Sequence, residues 1–282
     1  MTAGRTVNSQ SVNWCTPPKY VDAVRKVFRE IISASLNMEM PLQVAFLGPQ
    51  STFTHQAALQ QFGLSASLVP LKSIPAVFEE VERGRAHYGV IPVENSTEGV
   101  VNHTLDMFIN SELKIIAEIM LEISHHLLSK SGRIEQITKI ISHPQPLAQC
   151  RHWLETNLPE IPLIDVSSTA AAAQMVAEDE SAAAIASSAA AVQYGLQVVK
   201  ARIEDNPHNF TRFLVVGKKS PGKGGDDKTS IMFSIKDEPG ILYRMLEPFS
   251  KRQINLTKIE SRPMKQKAWE YVFFLDLLGP SP

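Results

Sequence analysis

The sequence has little of what marks an extracellular, membrane or nucleic-acid-binding protein. Its 282 residues include only two cysteines, Cys15 and Cys150, which cannot build a disulfide framework and fit a reducing compartment. Lysine and arginine number 28 against 29 aspartates and glutamates, so the whole chain offers no basic surface for DNA or RNA. The most apolar stretch, residues 113–128, is interrupted by charges and two histidines, and the first residues are polar. We therefore expect a cytoplasmic protein that binds neither nucleic acid nor a membrane.

Sequence signatures of several common chemistries are also missing. The chain has no HExxH pair for zinc, no GxSxG nucleophile elbow and no GxGxxG dinucleotide loop. The adjacent His125 and His126 would face opposite sides of a strand, so they do not make a metal pair. These absences argue against a zinc peptidase, a serine hydrolase and a dinucleotide-binding dehydrogenase.

The composition is that of a globular protein, with 44% hydrophobic and 20% charged residues. Residues 1–13 show no periodicity, and we expect a disordered terminus there. From Lys19 to Glu39, apolar residues recur every three or four positions, which predicts one amphipathic helix. A single helix cannot bury its own apolar stripe, so we expect it to dock on its own chain or on a partner.

After residue 42, short apolar runs alternate with helical stretches, which predicts an α/β fold with a largely parallel sheet. The predicted strands are Val44–Leu47, Tyr88–Ile91, Ile115–Ile119, Ile137–Ile141, Leu163–Val166, Ala183–Ala186 and Phe213–Val216. Half of the residues from Ser168 to Ala191 are alanine, and we expect helices packed closely against the sheet there.

A glycine-rich stretch at residues 218–227 predicts a linker. The pattern beyond it predicts strand Thr229–Ile235, helix Pro239–Lys251, strand Ile254–Arg262 and strand Ala268–Leu277. This βαββ order is typical of an α+β module without its second helix. Pro248 should bend or end the helix.

Polar side chains follow many of the predicted strands. Hydroxyls and amides at such strand–helix junctions, beside unpaired backbone N–H groups, suit a small anion such as a carboxylate. The same residue types are also common helix N-caps, and the pattern leaves both interpretations open. The junction residues include Thr52, Glu94, Asn95, Ser96, Ser142, Thr169, Asn209 and Thr211.

Four segments of the chain resemble those of the prephenate dehydratase family. In the family's order, they are Val44-Ala-Phe-Leu-Gly-Pro-Gln-Ser-Thr-Phe-Thr54, Ile91-Pro-Val-Glu-Asn-Ser96, Ser142-His-Pro-Gln145 and Asp205-Asn-Pro-His-Asn-Phe-Thr-Arg-Phe213. Residues 228–277 are similar to an ACT domain, in which Glu260–Pro263 matches the phenylalanine-sensing motif. Residues 27–35 resemble the last helix of the chorismate mutase domain that precedes the dehydratase in bifunctional members.

The resemblance implies a two-lobed, periplasmic-binding-protein-like dehydratase domain at residues 42–217 and a truncated, ferredoxin-like ACT regulatory domain at 228–282. Residues 14–40 would be the remnant helix of a mutase domain. The implied enzyme is a carbon–oxygen lyase of phenylalanine biosynthesis, which turns prephenate into phenylpyruvate with loss of carbon dioxide and water and needs no cofactor or metal. A mutase site requires side chains from several helices, so we expect no chorismate mutase activity.

The resemblance places the catalytic hydroxyl at Thr211, which would donate a hydrogen bond to the departing ring oxygen. The residues implied at the substrate pocket are Thr52, Glu94, Asn95, Ser96, Ser142, Gln149, Thr169 and Arg212. If Arg212 and Thr211 share a strand, they point to opposite faces, so Arg212 is either a substrate ligand or a structural ion-pair residue. Glu94, beside a dianion, is either protonated by burial or orients Asn95.

Ser51 stands where the family usually has glycine, and serine costs stability if that position needs a positive φ. The ACT resemblance implies L-phenylalanine as an allosteric ligand and homodimers or homotetramers built through the ACT sheets. The residues implied at the phenylalanine site are Gly240, Glu260, Ser261, Arg262 and Pro263.

Two other interpretations stay open. The chain would be a non-catalytic cytoplasmic module that binds phenylalanine or prephenate, because solute-binding proteins share the two-lobed arrangement. Alternatively, it would be an inactive truncated fragment with exposed apolar residues on the first helix, including Val24, Phe28 and Ile31.

Overall fold

The computed structural model describes residues 18–222, 224, 227–236, 238–263 and 271–279. The predicted terminus at 1–13, Cys15 and the start of the predicted strand Ala268–Leu277 lie outside these residues. The chain divides into two compact units. The first unit comprises residues up to 71 together with 124–205, and the second comprises 72–123 with 206–282. Within the described residues, no helix is long and apolar enough to cross a membrane.

Helices and strands alternate along most of the chain. The helices are α1 Pro18–Glu39, α2 Phe53–Phe62, α3 Ile74–Glu82, α4 Asn102–Phe108, α5 Pro144–Gln149, α6 Arg151–Asn157, α7 Thr169–Ala177, α8 Ser188–Tyr194 and α9 Ile241–Lys251. The strands are β1 Gln43–Leu47, β2 Ser67–Leu71, β3 Tyr88–Asn95, β4 Gly99–Val100, β5 Lys114–Glu122, β6 His126–Ser129, β7 Lys139–Ser142, β8 Leu163–Asp165, β9 Ala182–Ala186, β10 Gln197–Lys200, β11 Phe210–Gly217, β12 Lys228–Ile235, β13 Leu256–Pro263 and β14 Tyr271–Leu278.

The first unit contains the parallel pair β1–β2 and a five-stranded sheet of order β10-β6-β9-β7-β8. The central strand β9 is an alanine-rich run whose five residues are all buried. Helices α7 and α8 pack against this sheet, and their alanines form its core with Leu128, Ile141 and Val176. The expected alanine-rich packing is confirmed, because small side chains let the helix and the sheet backbones approach closely.

The second unit contains two antiparallel sheets. In one, β11 lies between β3 and β5, and the short strand β4 pairs with β3. In the other, β14 lies between β12 and β13. The chain order β12-α9-β13-β14 confirms the predicted βαββ module.

The prediction of a largely parallel sheet is wrong. Only β1–β2, β7–β8 and β7–β9 are parallel among the strand pairs of the described residues within each unit. A parallel sheet needs a crossover at each step, whereas β11 enters between β3 and β5 and runs against both of them. The predicted helix ends at Lys251 as expected, and Pro248 lies inside α9 without ending it.

Helix α1 contacts the first unit through its polar side. The Arg29 guanidinium donates to the carbonyl of Gln60 at 2.9 Å, and the Glu30 carboxylate accepts from the backbone N–H of Leu64 at 2.8 Å. The apolar residues Val24, Phe28 and Ile31 are 51–58% exposed. The helix is therefore where the sequence predicts it, but its apolar stripe is not buried by the described residues.

Ser51 adopts the left-handed backbone conformation, with φ 64°. Its backbone N–H donates to the Nδ1 atom of His55 at 3.1 Å, and its carbonyl accepts from the Ser187 hydroxyl at 3.3 Å. These contacts hold the residue in the strained conformation. The expectation that this position favours glycine therefore has a physical cause, since a Cβ atom is disfavoured at positive φ.

We predict that Ser51→Gly raises the free energy of unfolding by about 0.5–1 kcal/mol, because glycine relieves the left-handed strain. Urea unfolding measures the change. Ser73→Gly is the matched control, since Ser73 caps α3 with φ −152° and should lose stability on the same substitution. A Ser51→Gly variant that is no more stable than wild type would contradict the interpretation.

Candidate active site

A buried amide–hydroxyl cluster, formed by Asn95, Asn209 and Thr211, lies in the second unit. Strands β3 and β11 are antiparallel, and their register sets Asn95 directly opposite Thr211. The three side chains are 8%, 2% and 9% exposed in that order. The pairing of the two strands therefore unites the Glu-Asn-Ser and Thr-Arg-Phe segments.

The side-chain amide of Asn95 links the members of the cluster. Its Oδ1 atom accepts from the backbone N–H groups of Thr97 and Glu98 at 2.9 and 3.0 Å. Its Nδ2 atom donates to Asn209 Oδ1 at 2.7 Å and to Thr211 Oγ1 at 2.8 Å. With a donor already facing its oxygen, the Thr211 hydroxyl has its own hydrogen left to donate.

The Ser96 hydroxyl makes hydrogen bonds across the end of this strand pair. Its hydroxyl accepts from the backbone N–H of Phe210 at 2.9 Å and donates to the carbonyl of His208 at 3.2 Å. The segment that leads into Thr211 is therefore held by the same Glu-Asn-Ser motif that supplies Asn95.

Arg212 points into an ion-pair network on the second unit, formed by Glu94, Glu118, Arg212, Lys228, Lys258 and Asp276. The Arg212 guanidinium contacts Glu118 and Asp276, each at 2.6 Å, and lies 3.8 Å from Glu94. Its side chain is 12% exposed. Burial alone would lower the pKa of Arg212, but Asp276 and Glu118 raise it above its usual value. The geometry favours the structural ion-pair interpretation of Arg212.

Glu94 belongs to the same network. Its Oε2 atom accepts from the Lys258 ammonium at 2.6 Å. The contact engages Glu94 with Lys258 and supports neither of the two roles considered for it.

In the first unit, His125 and Gln149 form a second polar pair. The Nε2 atom of His125 lies 2.8 Å from Gln149 Oε1, and the histidine is 1% exposed. The Nδ1 atom of His125 has no hydrogen-bond partner among the described residues. Burial lowers the pKa of His125, although the contact with Gln149 opposes this shift. The imidazole is therefore held in its neutral form.

The remaining junction residues mostly cap helices or strands. Thr52 caps α2 and His143 caps α5, each through its own side chain. Thr169 is the first residue of α7 and is 9% exposed. The Ser142 hydroxyl is fully buried and donates to the carbonyl of Ile185 at 2.7 Å. This hydrogen bond joins β7 to β9, so the Ser142 hydroxyl has a structural role.

The predicted phenylalanine-site residues lie at two places in the βαββ module. Gly240 precedes α9 with φ 75°, and among the described residues a Cβ atom placed there would meet only Arg244, at 4.0 Å. Residues Glu260 to Pro263 are the last four of β13, which is an edge strand. Arg262 contacts Asp106 at 3.1 Å, so its charge is already paired.

Sequence reasoning missed several residues that the structure brings to these clusters. Asn209 was noted only as a junction residue, and His125 only as half of an adjacent pair. Lys258 and Asp276 were not singled out, because nothing in their local sequence predicts partners that are 164 and 64 residues away. A motif that spans Asn209 and Thr211 was the one signal that pointed to part of the cluster.

Comparisons with known proteins show the family to which the chain belongs. The family model described as prephenate dehydratase matches residues 44–221, and the ACT domain model matches residues 229–282. The chain belongs to the prephenate dehydratase family. It is 56% identical over 258 residues to a bifunctional chorismate mutase/prephenate dehydratase of Aquifex aeolicus, covering 92% of this chain and 71% of the relative.

Two solved structures also share the fold. The crystal structure of a prephenate dehydratase in complex with L-Phe from Arthrobacter aurescens is 37% identical, with a TM-score of 0.78, and covers 84% of this chain and 80% of that one. A structure described as a novel type of quorum quenching acylase is 27% identical, with a TM-score of 0.76, and covers 84% and 88% of the two chains. The fold alone therefore does not decide the activity of a member, and the residues of its site must.

We predict that Arg212→Met lowers the free energy of unfolding by about 3 kcal/mol, because it leaves the Asp276 and Glu118 carboxylates without their shared cation. Chemical denaturation measures the loss. Arg244→Met is the matched control, since Arg244 contacts Glu238 on the exposed surface at 3.1 Å. Unchanged stability together with a raised KM for prephenate would instead identify Arg212 as a substrate ligand.

We predict that the first unit loses stability as the pH falls from about 7 to 5. The folded pKa of His125 lies below its unfolded value, so the unfolded state binds more protons in this range and becomes favoured. Thermal melting across this range should show a steeper loss for wild type than for His125→Gln. Parallel curves for the two proteins would show that His125 does not carry the effect.

Proposed function

We propose that the chain catalyses the decarboxylating dehydration of prephenate to phenylpyruvate through the hydroxyl of Thr211. The observation that carries this proposal is the hydrogen bond that Asn95 Nδ2 donates to Thr211 Oγ1 at 2.8 Å. Among the hydrogen bonds of the described residues, Thr211 Oγ1 is an acceptor and not a donor. The hydroxyl hydrogen of Thr211 is then available to a ligand.

The reaction needs little chemical catalysis from the protein. The bond from the ring to one carboxylate breaks and releases carbon dioxide, its electron pair enters the ring, and the carbon–oxygen bond at the opposite position breaks. The departing hydroxide takes up a proton and leaves as water. Because the ring becomes aromatic, the protein needs mainly to hold the dianion in one pose and donate a hydrogen bond to the leaving oxygen.

The Thr211 hydroxyl is a weak acid, so we assign it a hydrogen-bond role. A threonine hydroxyl that accepts from an amide is polarised and becomes a better donor, which is the direction that leaving-group departure requires. A hydrogen-bond donor accelerates a reaction when its bond is stronger in the transition state than in the ground state. A donor aimed at the charge that develops on the leaving oxygen meets this condition.

Neutral polar groups are proposed to bind the substrate carboxylates. Amide and hydroxyl donors hold an anion without a fixed counter-charge, and Gln149 is kept in place by neutral His125. The side chains of Thr52, Ser96, Ser142 and Arg212 are used in structural contacts, so these residues are left out of this set. The proposed binding residues are Gln149 and Thr169.

For the ACT domain we propose L-phenylalanine as a regulatory ligand, which is the molecule bound in the Arthrobacter aurescens relative. Open space at Gly240 lets a ligand approach the backbone before α9. Among the described residues, β13 has no strand on its outer edge, and a second copy of the chain could complete the site there. A homodimer or homotetramer follows from this arrangement, and a cytoplasmic location stays a prediction.

For α1 we propose the role of a remnant mutase helix without mutase activity. It is one helix of 22 residues with Arg29 engaged by Gln60 and Glu30. Binding chorismate would take cationic and polar groups from more than one helix around the substrate. Incubating the purified chain with chorismate and finding prephenate or phenylpyruvate would contradict this proposal.

We predict that Thr211→Val lowers kcat for prephenate by about 100-fold or more, because the donor to the leaving oxygen is lost. The assay incubates the protein with prephenate, adds alkali and follows the absorbance of phenylpyruvate. Thr104→Val is the matched control, since Thr104 is a fully buried threonine whose hydroxyl donates to the Pro92 carbonyl at 2.6 Å.

The control should lose stability and retain most of its kcat. Equal turnover in wild type and Thr211→Val would remove Thr211 from the mechanism. Tight binding of prephenate by calorimetry without any turnover in wild type would favour the non-catalytic binding module. Aggregation of the wild-type chain in isolation would favour the inactive fragment.

A further inference from the structure

We infer that Asn209 is a positioning residue for the dehydratase reaction, acting through Asn95 to set the hydroxyl of Thr211 as a donor. The inference rests on the proposed role of Thr211 and adds a residue to it. The juxtaposition is a chain of two hydrogen bonds, in which Asn95 Nδ2 lies 2.7 Å from Asn209 Oδ1 and 2.8 Å from Thr211 Oγ1.

The orientation of the Asn95 amide follows from its other contacts. The backbone N–H groups of Thr97 and Glu98 both face its oxygen, so the amide nitrogen must face Asn209 and Thr211. A primary amide has two N–H bonds in one plane, and each has a separate acceptor here. Holding one of these N–H bonds on Asn209 therefore fixes the direction of the other.

Asn209 is itself held firmly. It is 2% exposed, and its backbone carbonyl accepts from the N–H of Ile123 at 2.8 Å, at the end of β5. It precedes β11 by one residue, while Asn95 ends β3. The acceptor thus comes from the same strand pair as the groups it positions, which limits its movement relative to them.

Removing the acceptor would release the amide. Without Asn209 Oδ1, one buried N–H of Asn95 has no partner, and the side chain gains by tilting toward another acceptor. The Asn95–Thr211 bond then lengthens, and the Thr211 hydroxyl is free to turn its hydrogen away from the leaving oxygen. The loss falls on kcat, because the affected bond matters most in the transition state.

The experiment measures kcat and KM for prephenate in wild type, Asn209→Ala, Asn209→Asp and Asn206→Ala. Asn209→Ala should lower kcat about tenfold with KM within about twofold, the size expected for one lost buried hydrogen bond. Asn209→Asp keeps an acceptor at the same place, so kcat should stay within about threefold while KM rises against a dianionic substrate. Asn206→Ala, on the exposed part of the same segment, should behave as wild type.

A double variant tests the route of the effect. In a Thr211→Val background, Asn209→Ala should lower kcat no further, since the group it positions is gone. Equal kcat in wild type and Asn209→Ala, or an equal loss of kcat in Asn209→Ala and Asn209→Asp, would overturn the inference. A raised KM with unchanged kcat in Asn209→Ala would overturn it in favour of direct substrate contact.

The outcomes also separate this inference from the proposed function. Absence of turnover in the wild-type chain removes the proposed function and the inference together. Turnover that depends on Thr211 but not on Asn209 removes the inference alone. The thermal melt shows whether Asn209→Ala folds. If it does not fold, Asn209→Asp still tests the inference, because this variant keeps an acceptor at position 209. A large loss of kcat in Asn209→Asp would then contradict the inference.

Discussion

The antiparallel pairing of β3 with β11 is the constraint on which the candidate site depends. It sets Asn95 opposite Thr211, although 116 residues separate them in the chain. Backbone ladder bonds fix that register, and side-chain contacts then follow from it. A slip of one residue would turn Thr211 to the other face of the sheet and separate it from the amide that engages its oxygen.

The alternation of side chains along the same two strands gives the sheet two different faces. Thr211 and Asn95 meet in the amide–hydroxyl cluster, whereas their neighbours Arg212 and Glu94 join the ion-pair network. That network reaches β13 and β14 through Lys258 and Asp276. Adjacent residues of one motif therefore serve separate purposes: one supplies a neutral hydroxyl, and the next ties the dehydratase sheet to the ACT sheet.

Charge is distributed in keeping with the substrate that we propose. The carboxylates of the ion-pair network are paired with Arg212, Lys228 and Lys258, which reduces their repulsion toward a dianion. The neighbouring amide–hydroxyl cluster is neutral. Such neutral donors orient a carboxylate without the desolvation cost that an additional buried ion would bring.

Much of the local structure could be predicted from the sequence. The periodicity from Lys19 to Glu39 predicted α1, the apolar runs predicted most strands, and the order after residue 228 predicted the βαββ module. These features depend on neighbours within a few residues, which the sequence displays directly. Strands β2, β4, β6 and β10 were missed because they are short and only partly apolar.

What the sequence by itself determined were the residue types available for chemistry and the motifs that carry Thr211, Asn95 and Gln149. The tertiary structure decided which of them are engaged elsewhere: Ser142 with a strand carbonyl, Arg212 with Asp276, and Asn95 with both Asn209 and Thr211. The direction of the β11 strand was also decided there. The physical reason is that hydrogen bonds and ion pairs form between groups that are close in space, and strand register, which is set by long-range pairing, determines which groups those are.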